Sequence, residues 1–306
     1  MSSVEDTSRW SLVTAVAPVA WGSTYVVTHH VLPADQPLTG AALRALPAGL
    51  LLLALARRLP RGAWWWRSAV LGVLDVGLFF LLVYQSAQLL PSAIAATVMA
   101  TSPVALTLLA WALLGQHPAP AHLVGGVVGV LGVGLLLLGD AAGVDPLGVA
   151  CAVAAMVSSS VGFVLARRWS DGTDLVATTS WQLLAGGAAL AVGAWVTGDG
   201  WPPVDVPTLL GFGYVTVVAT ALAFVCWFAG LAHLPTGTVG LVGLLNPLTG
   251  VALGCLVVGE VLGLRQWAGL ALVLAGIGLG QHQRSVRARR GSSRSSTPAR
   301  SAGRAG

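Results

Sequence analysis

Residues 91–116 read PSAIAATVMATSPVALTLLAWALLGQ, and residues 235–260 read PTGTVGLVGLLNPLTGVALGCLVVGE. Laid over each other at an offset of 144 residues, without a gap, Pro91 meets Pro235, Pro103 meets Pro247, Gly115 meets Gly259 and Gln116 meets Glu260. The register continues downstream, where Gly125, Gly132 and Gly134 meet Gly269, Gly276 and Gly278. Leucine-rich helices align with one another by chance, but proline and glycine punctuate the backbone, and their agreement carries information about the fold. The match predicts two copies of one unit. If each copy holds five membrane-crossing helices, the odd number inserts the second copy upside down, the arrangement of inverted repeats around a shared midplane site.

Composition supports the membrane setting. Of 306 residues, 56% are hydrophobic and 9% are charged, against about 25% charged in soluble domains. A spanning helix needs roughly 20 apolar residues. The stretches that qualify are 12–32, 38–56, 68–89, 92–114, 121–139, 147–166, 175–197, 208–231, 236–258 and 266–282. The expected fold is therefore all-α and integral to the membrane, with ten transmembrane helices in two inverted five-helix repeats. An N-terminal segment 1–11 precedes a first repeat at 12–139, a second spans 147–282, and an Arg-rich tail 283–306 follows. The first apolar stretch is too long for a signal peptide, and Glu5 and Asp6 stand where a basic cluster would be needed.

All sixteen basic residues are Arg. Arg57, Arg58, Arg61, Arg67, Arg167, Arg168 and the tail fall on one side of this arrangement. Asp35, Asp140, Asp145, Asp199, Asp205 and Glu260 fall on the other, beside the lone Arg265. Basic loops stay inside, which predicts a multi-pass protein of the cytoplasmic membrane with both termini cytoplasmic. The tail, poor in apolar residues, is expected to be disordered and to lie beside anionic lipid rather than nucleic acid. Trp64, Trp65 and Trp66 beside Arg67 suit an interfacial anchor, and Trp201 suits one on the opposite face. Cys151, Cys226 and Cys255 lie in apolar stretches without metal-ligand spacing. With no nucleotide loop, metal cluster or nucleophile–base pair, neither enzyme activity nor a cofactor is expected.

Further elements carry a family resemblance. Trp21-Gly22-Ser23 stands in the first span and Arg44 in the second. The run from Tyr84 through Ala87 to Pro103 and Gly115 follows, and the second half has Asn246-Pro247 and Gly259-Glu260. In this order, over residues 12 to 282, the sequence resembles the EamA-type exporters of the drug/metabolite transporter superfamily. The resemblance implies cytoplasmic termini and a central cavity lined by the first four helices of each half. It also implies export of amino acids or related metabolites. Where the family has Gly-Glu after its fourth helix, this chain has Gly115-Gln116, so the two gates, at Gln116 and Glu260, are expected to be unequal.

The residues expected to bind a small-molecule substrate are Trp21, Tyr25, Arg44, Asp75, Tyr84, Trp181, Gln182, Trp227 and Asn246. Aromatic faces take apolar groups or cations, and amides fix orientation. Asp75, an acid within the third span, suits a proton acceptor or an ammonium contact. Arg44 suits a substrate carboxylate, an ion pair with Asp75, or snorkelling to the interface. Asn246 precedes Pro247, which frees a backbone carbonyl at that level. His29 and His30 fit either a pH sensor or the interface. Gly125-x-x-x-Gly129 and Gly250-x-x-x-Gly254 allow close helix packing, within the chain or in a homodimer. The expected function is a secondary transporter exporting a small amphipathic metabolite. The alternatives are a multidrug or cation efflux carrier, a membrane-embedded enzyme and a non-transporting scaffold. Cysteines introduced at Ser3 and Ser301 should both react with a membrane-impermeant thiol reagent from the cytoplasmic side alone; labelling from opposite sides would break the inverted arrangement.

Overall fold

The computed structural model describes residues 3–118, 120–137, 144–234 and 236–294. Among these every regular element is helical. In chain order they are α1 (Ser3–Val31), α2 (Pro37–Ala56), α3 (Trp64–Leu89), α4 (Ser92–Leu114), α5 (Pro120–Leu137), α6 (Pro146–Arg168), α7 (Leu175–Thr197) and α8 (Val206–His233). Then come α9, built from Thr236–Gly243 and Leu245–Leu253 with its last turn at Gly254–Val258, and α10 (Leu264–Arg294). Eight of the helices are long and apolar enough to cross a membrane. In α5 and α10 the apolar stretches are shorter, Leu123–Leu135 and Leu264–Leu279.

Three boundaries differ most from the sequence reading. Helix α1 begins at Ser3, ahead of the start expected at 12. Helix α3 begins at Trp64 because Trp64 folds under the bundle instead of lying at its rim. Helix α10 runs on to Arg294, past the end expected at 282, since Gln281–Arg290 is free of glycine and proline and rich in good helix formers. Gly139, Asp140, Pro235 and residues 295–306 lie outside the described residues, as do the side chains of His122 and His282.

The acidic loop residues have local structural work. Asp145, Asp174 and Asp205 cap α6, α7 and α8, accepting from the backbone N–H of Leu147, Ala177 and Thr208. Each satisfies donors that a helix N-terminus leaves free. The bond from Thr208 holds the Asp205 carboxyl below the usual range. Gly115, Gly198 and Gly259 end α4, α7 and α9 in the left-handed conformation that glycine adopts without strain.

Lipid offers helices no hydrophobic reason to associate, so contact depends on how closely their backbones approach. A Cβ on Gly276 of α10 would stand 2.4 Å from the Gly125 carbonyl oxygen of α5, and one on Gly132 would stand 2.6 Å from that of Gly269. The Gly125–Gly129 stripe is therefore packed within the chain. So is Gly250, whose added Cβ would meet Ala96 of α4 at 2.5 Å. Helices α3 and α7 cross in the same way through Gly72 and Gly186. Replacing Gly276 with Val should force α5 and α10 apart and cost about 1–3 kcal/mol, read as a lowered melting temperature in detergent. Gly278→Ala, with nothing within 4 Å of an added Cβ, should leave it unchanged.

Candidate functional site

Arg44 stands in the middle of α2, one turn before Pro47, a proline inside the helix. Its guanidinium reaches α8, where Nε donates to Thr220 Oγ1 at 2.9 Å and Nη2 to the Ala219 carbonyl at 3.4 Å. The receiving turn is unusual: residues 214–222 of α8 form a π-helix, and the Thr220 hydroxyl donates to the Val215 carbonyl five residues earlier. Such wide turns leave carbonyls available to other groups. Beneath Arg44 lies the Phe80 ring, with its centroid 4.3 Å from the guanidinium carbon. Tyr25 of α1 and Tyr214 of α8 are near enough to interact with its charge.

A small cavity, with room for about one water molecule, opens beside this group, lined by Thr28, Leu32, Gly40, Ala41, Arg44, Phe80, Val83, Tyr84 and Val215. Four helices supply that lining: α1, α2, α3 and α8. Gly40 makes room for the Tyr84 ring, since a Cβ there would stand 2.7 Å from it. The Tyr84 hydroxyl donates to the Pro33 carbonyl at 2.5 Å. Gln88, one turn on, donates to the carbonyls of Thr28 and Leu32, binding α3 to the end of α1. His29 is bonded to the Ala87 carbonyl at the same seam, with His30 edge-on to it. The chain has three tyrosines, and all of them stand around Arg44 or its cavity.

Asp75 occupies a different interface. It sits in a second π-turn, Val73–Leu78 of α3, and its carboxylate lies on the bare face of Gly162 in α6, where an added Cβ would be 2.1 Å from Oδ1. Ser158, one turn before Gly162, donates to the Leu74 carbonyl. Asp75 Oδ1 is buried with no hydrogen-bond partner. Arg44 and Asp75 therefore face different helices. Among the described residues the one side-chain ion pair is Arg67–Asp171, at 3.8 Å.

Trp21 and Trp227 meet across the α1–α8 seam with ring centroids 5.3 Å apart, and Phe224 stands edge-on to Trp21 at 5.8 Å. This aromatic strip begins one turn beyond Thr220 on α8. At its inner border Ser23 and Tyr214 share a hydrogen bond of 2.5 Å. Asn246 lies where α9 passes α1: a Cβ on Gly22 would stand 2.3 Å from its backbone oxygen, and its side-chain Oδ1 is buried without a partner.

Four expected residues stand elsewhere. The indole of Trp181 donates to the Arg58 carbonyl and packs on Trp64. Trp64 in turn donates to Asp171, whose carboxyl is held below the usual range by the Thr173 hydroxyl and this indole. This locks the 58/171 end of the bundle. Gln182 lies on α7 at the crossing with α3, its carbonyl oxygen 2.7 Å from where a Gly72 Cβ would be. Glu260 reaches back from the end of α9 to the first turn of α4, accepting from Ser92 N–H at 2.8 Å and Ala93 N–H at 3.1 Å. A carboxylate at a helix N-terminus satisfies free donors and meets the positive end of the dipole. Gln116 is exposed.

Thr220, Tyr214, Phe80, Gly40 and Gly162 were not among the expected site residues. With three tyrosines in the chain, scarcity was the one available signal for Tyr214, and the sequence reading did not use it. Nothing in the sequence marked the others, because their roles depend on which helices meet.

Comparison with known proteins agrees with this architecture. The model of the EamA-like transporter family matches the chain twice, over residues 8–138 and 146–279. Protein PecM of Dickeya dadantii is 34% identical over 263 residues, covering 85% of this chain and 88% of PecM. The inner membrane transporter YedA of Escherichia coli K12 is 28% identical over 265 residues, covering 84% of this chain and 85% of YedA. A solved crystal structure shares the fold, with a TM-score of 0.62 at 21% identity over 92% of this chain and 98% of its own. A family match over nearly the whole apolar region, on a bundle of membrane-length helices, identifies this chain as a member of the EamA-like transporter family.

Proposed function

We propose that this protein is a secondary carrier that exports a small amphipathic metabolite across the cytoplasmic membrane by alternating access, with the Arg44 cavity as its solute site. The observation that carries the reading is the position of that cavity: α1, α2 and α3 meet α8 there, so it stands on a seam between the segments 12–139 and 147–282. Carriers built from inverted repeats place their sites on such a seam.

The pattern of helix contacts supports two exchangeable halves. Helix α1 packs on α8 and α9, while α6 packs on α3 and α4. Helix α2 packs on the wide turn of α8, and α7 packs on that of α3. The pairs α2–α7, α4–α9 and α5–α10 also meet. Renumbering each helix by five maps every one of these contacts onto another of the set or onto itself. The π-turns at 73–78 and 214–222 also overlap at the 144-residue offset. The Arg residues of the 58/171 end then face the cytoplasm with both termini.

In this arrangement the outer end is shut. Glu260 holds α4 at Ser92 and Ala93, and Asp199 and Gly200 hold α2 through Thr39. The cavity has room for about one water molecule, far below the roughly 300–1,000 Å³ of ordinary ligand sites, so solute entry requires the α1–α8 seam to widen. Trp21, Trp227 and Asn246 border the path between cavity and cytoplasm. Export against a gradient needs a coupling group, and Asp75 suits it: it is a carboxyl without a fixed cation, lying at an interface that must shear if the halves rock.

Asp75→Asn keeps the shape and removes the titrating proton. In proteoliposomes it should abolish pH-gradient-driven transport, a loss of at least tenfold (about 1.4 kcal/mol), while counterflow without a gradient persists. Undiminished gradient-driven transport would remove Asp75 from coupling.

A further inference from the structure

The surroundings of Arg44 also bear on what the cavity accepts. A guanidinium carries five N–H donors. Here one goes to Thr220 Oγ1 and one to the Ala219 carbonyl, and the rest are given to no described acceptor. No described carboxylate lies within 4.0 Å of its nitrogens. The neighbouring tyrosines do not supply a counter-charge: Tyr214 is bonded to Ser23, and Tyr84 gives its proton to Pro33. The rest of the lining is hydroxyl (Thr28) or apolar, with Leu32, Ala41, Phe80, Val83 and Val215. Asp75, the acid nearest along α3, lies against Gly162 on the other side of that helix.

The site therefore has one fixed cation, spare donors in a planar fork, an apolar wall and no anion. We infer that it selects a solute bearing one carboxylate and an apolar body, with a net negative charge, in preference to a zwitterion or a cation. A carboxylate can take two parallel bonds from the open edge of the guanidinium and neutralise a charge that is expensive to leave unpaired away from water. An ammonium on the same solute would enter a space with no acid to receive it and would be repelled by Arg44. This inference rests on the cavity being the solute site and names the class of solute that the site takes.

The test uses three probes of one skeleton: phenylacetate, phenylalanine and phenethylamine, with net charges of about −1, 0 and +1 at neutral pH. Binding to the purified full-length protein in nanodiscs is measured by calorimetry, and competition is followed in proteoliposomes. Phenylacetate should bind at least tenfold more tightly than either of the others. Arg44→Gln should remove that binding, and Arg44→Lys should retain part of it. The ranking in the unaltered protein is decisive without any variant. If phenylalanine or phenethylamine binds best and Arg44→Gln weakens it, the site stands but its preference for anions is overturned. If the probes bind and Arg44→Gln alters none of them, the cavity is not the solute site. Failure of all three to bind overturns the inference as well.

Discussion

Hydrocarbon offers no hydrogen bonds, so each backbone amide in a lipid-embedded chain must find its partner inside its own helix. That constraint explains why every regular element among the described residues is helical, and why departures from α-helical bonding are few and placed where they matter. Among the described residues three π-turns occur. One carries Asp75, one carries Tyr214 and receives Arg44 at Ala219 and Thr220, and one, Gly254–Val258, leads into Glu260. In each case a widened turn stands beside a polar side chain that faces another helix. The same constraint makes glycine the packing residue. Where helices cannot gain by hiding apolar surface from water, they gain by bringing backbones together, as at Gly22, Gly72, Gly132, Gly186 and Gly276.

Arg44 is the most demanding tenant of this bundle. Inserting an arginine at the centre of a span costs about 2.5–3.5 kcal/mol on insertion scales. The fold offsets part of that with Thr220, the Ala219 carbonyl and the face of Phe80. It leaves the remaining donors toward a cavity. Asp75 is the complementary case, an acid packed on Gly162 with no base beside it. Were the two paired, each would neutralise the other and the bundle would gain a strut. Held apart on different seams, with Arg44 against Thr220 and Asp75 against Gly162, neither neutralises the other, and α3 borders both.

Much of this was legible in the residues. The register of Pro91, Pro103 and Gly115 with Pro235, Pro247 and Gly259 pointed to two copies of one unit, and the apolar stretches located the helices, since hydropathy and proline act locally; the polar extensions of α1 back to Ser3 and of α10 on to Arg294 escaped that reading. Trp181 shows where such reading stops. It is an aromatic inside an apolar span, like Trp21, yet it packs on Trp64 at one end of the bundle while Trp21 stands by the central seam. Nothing local distinguishes them, because the difference lies in helix rotation and depth. Glu260 teaches the same lesson. Its position beside Arg265 gave no sign that its partners are two backbone amides 168 and 167 residues away in sequence. Backbone donors at a helix start carry no residue signature.

The central claim is that one cavity is opened to either face of the membrane in turn, with Glu260 among the groups that shut the outer end. The most direct measurement places a cysteine at Thr28, in the cavity wall, in a chain whose Cys151, Cys226 and Cys255 have been replaced. A membrane-impermeant thiol reagent is then applied from each side. Residue 28 should label from the cytoplasmic side in the resting protein, and Glu260→Gln should move labelling to the outer side while reducing it from the cytoplasm. Equal labelling from both sides at once, or labelling indifferent to Glu260, would contradict alternating access through this cavity.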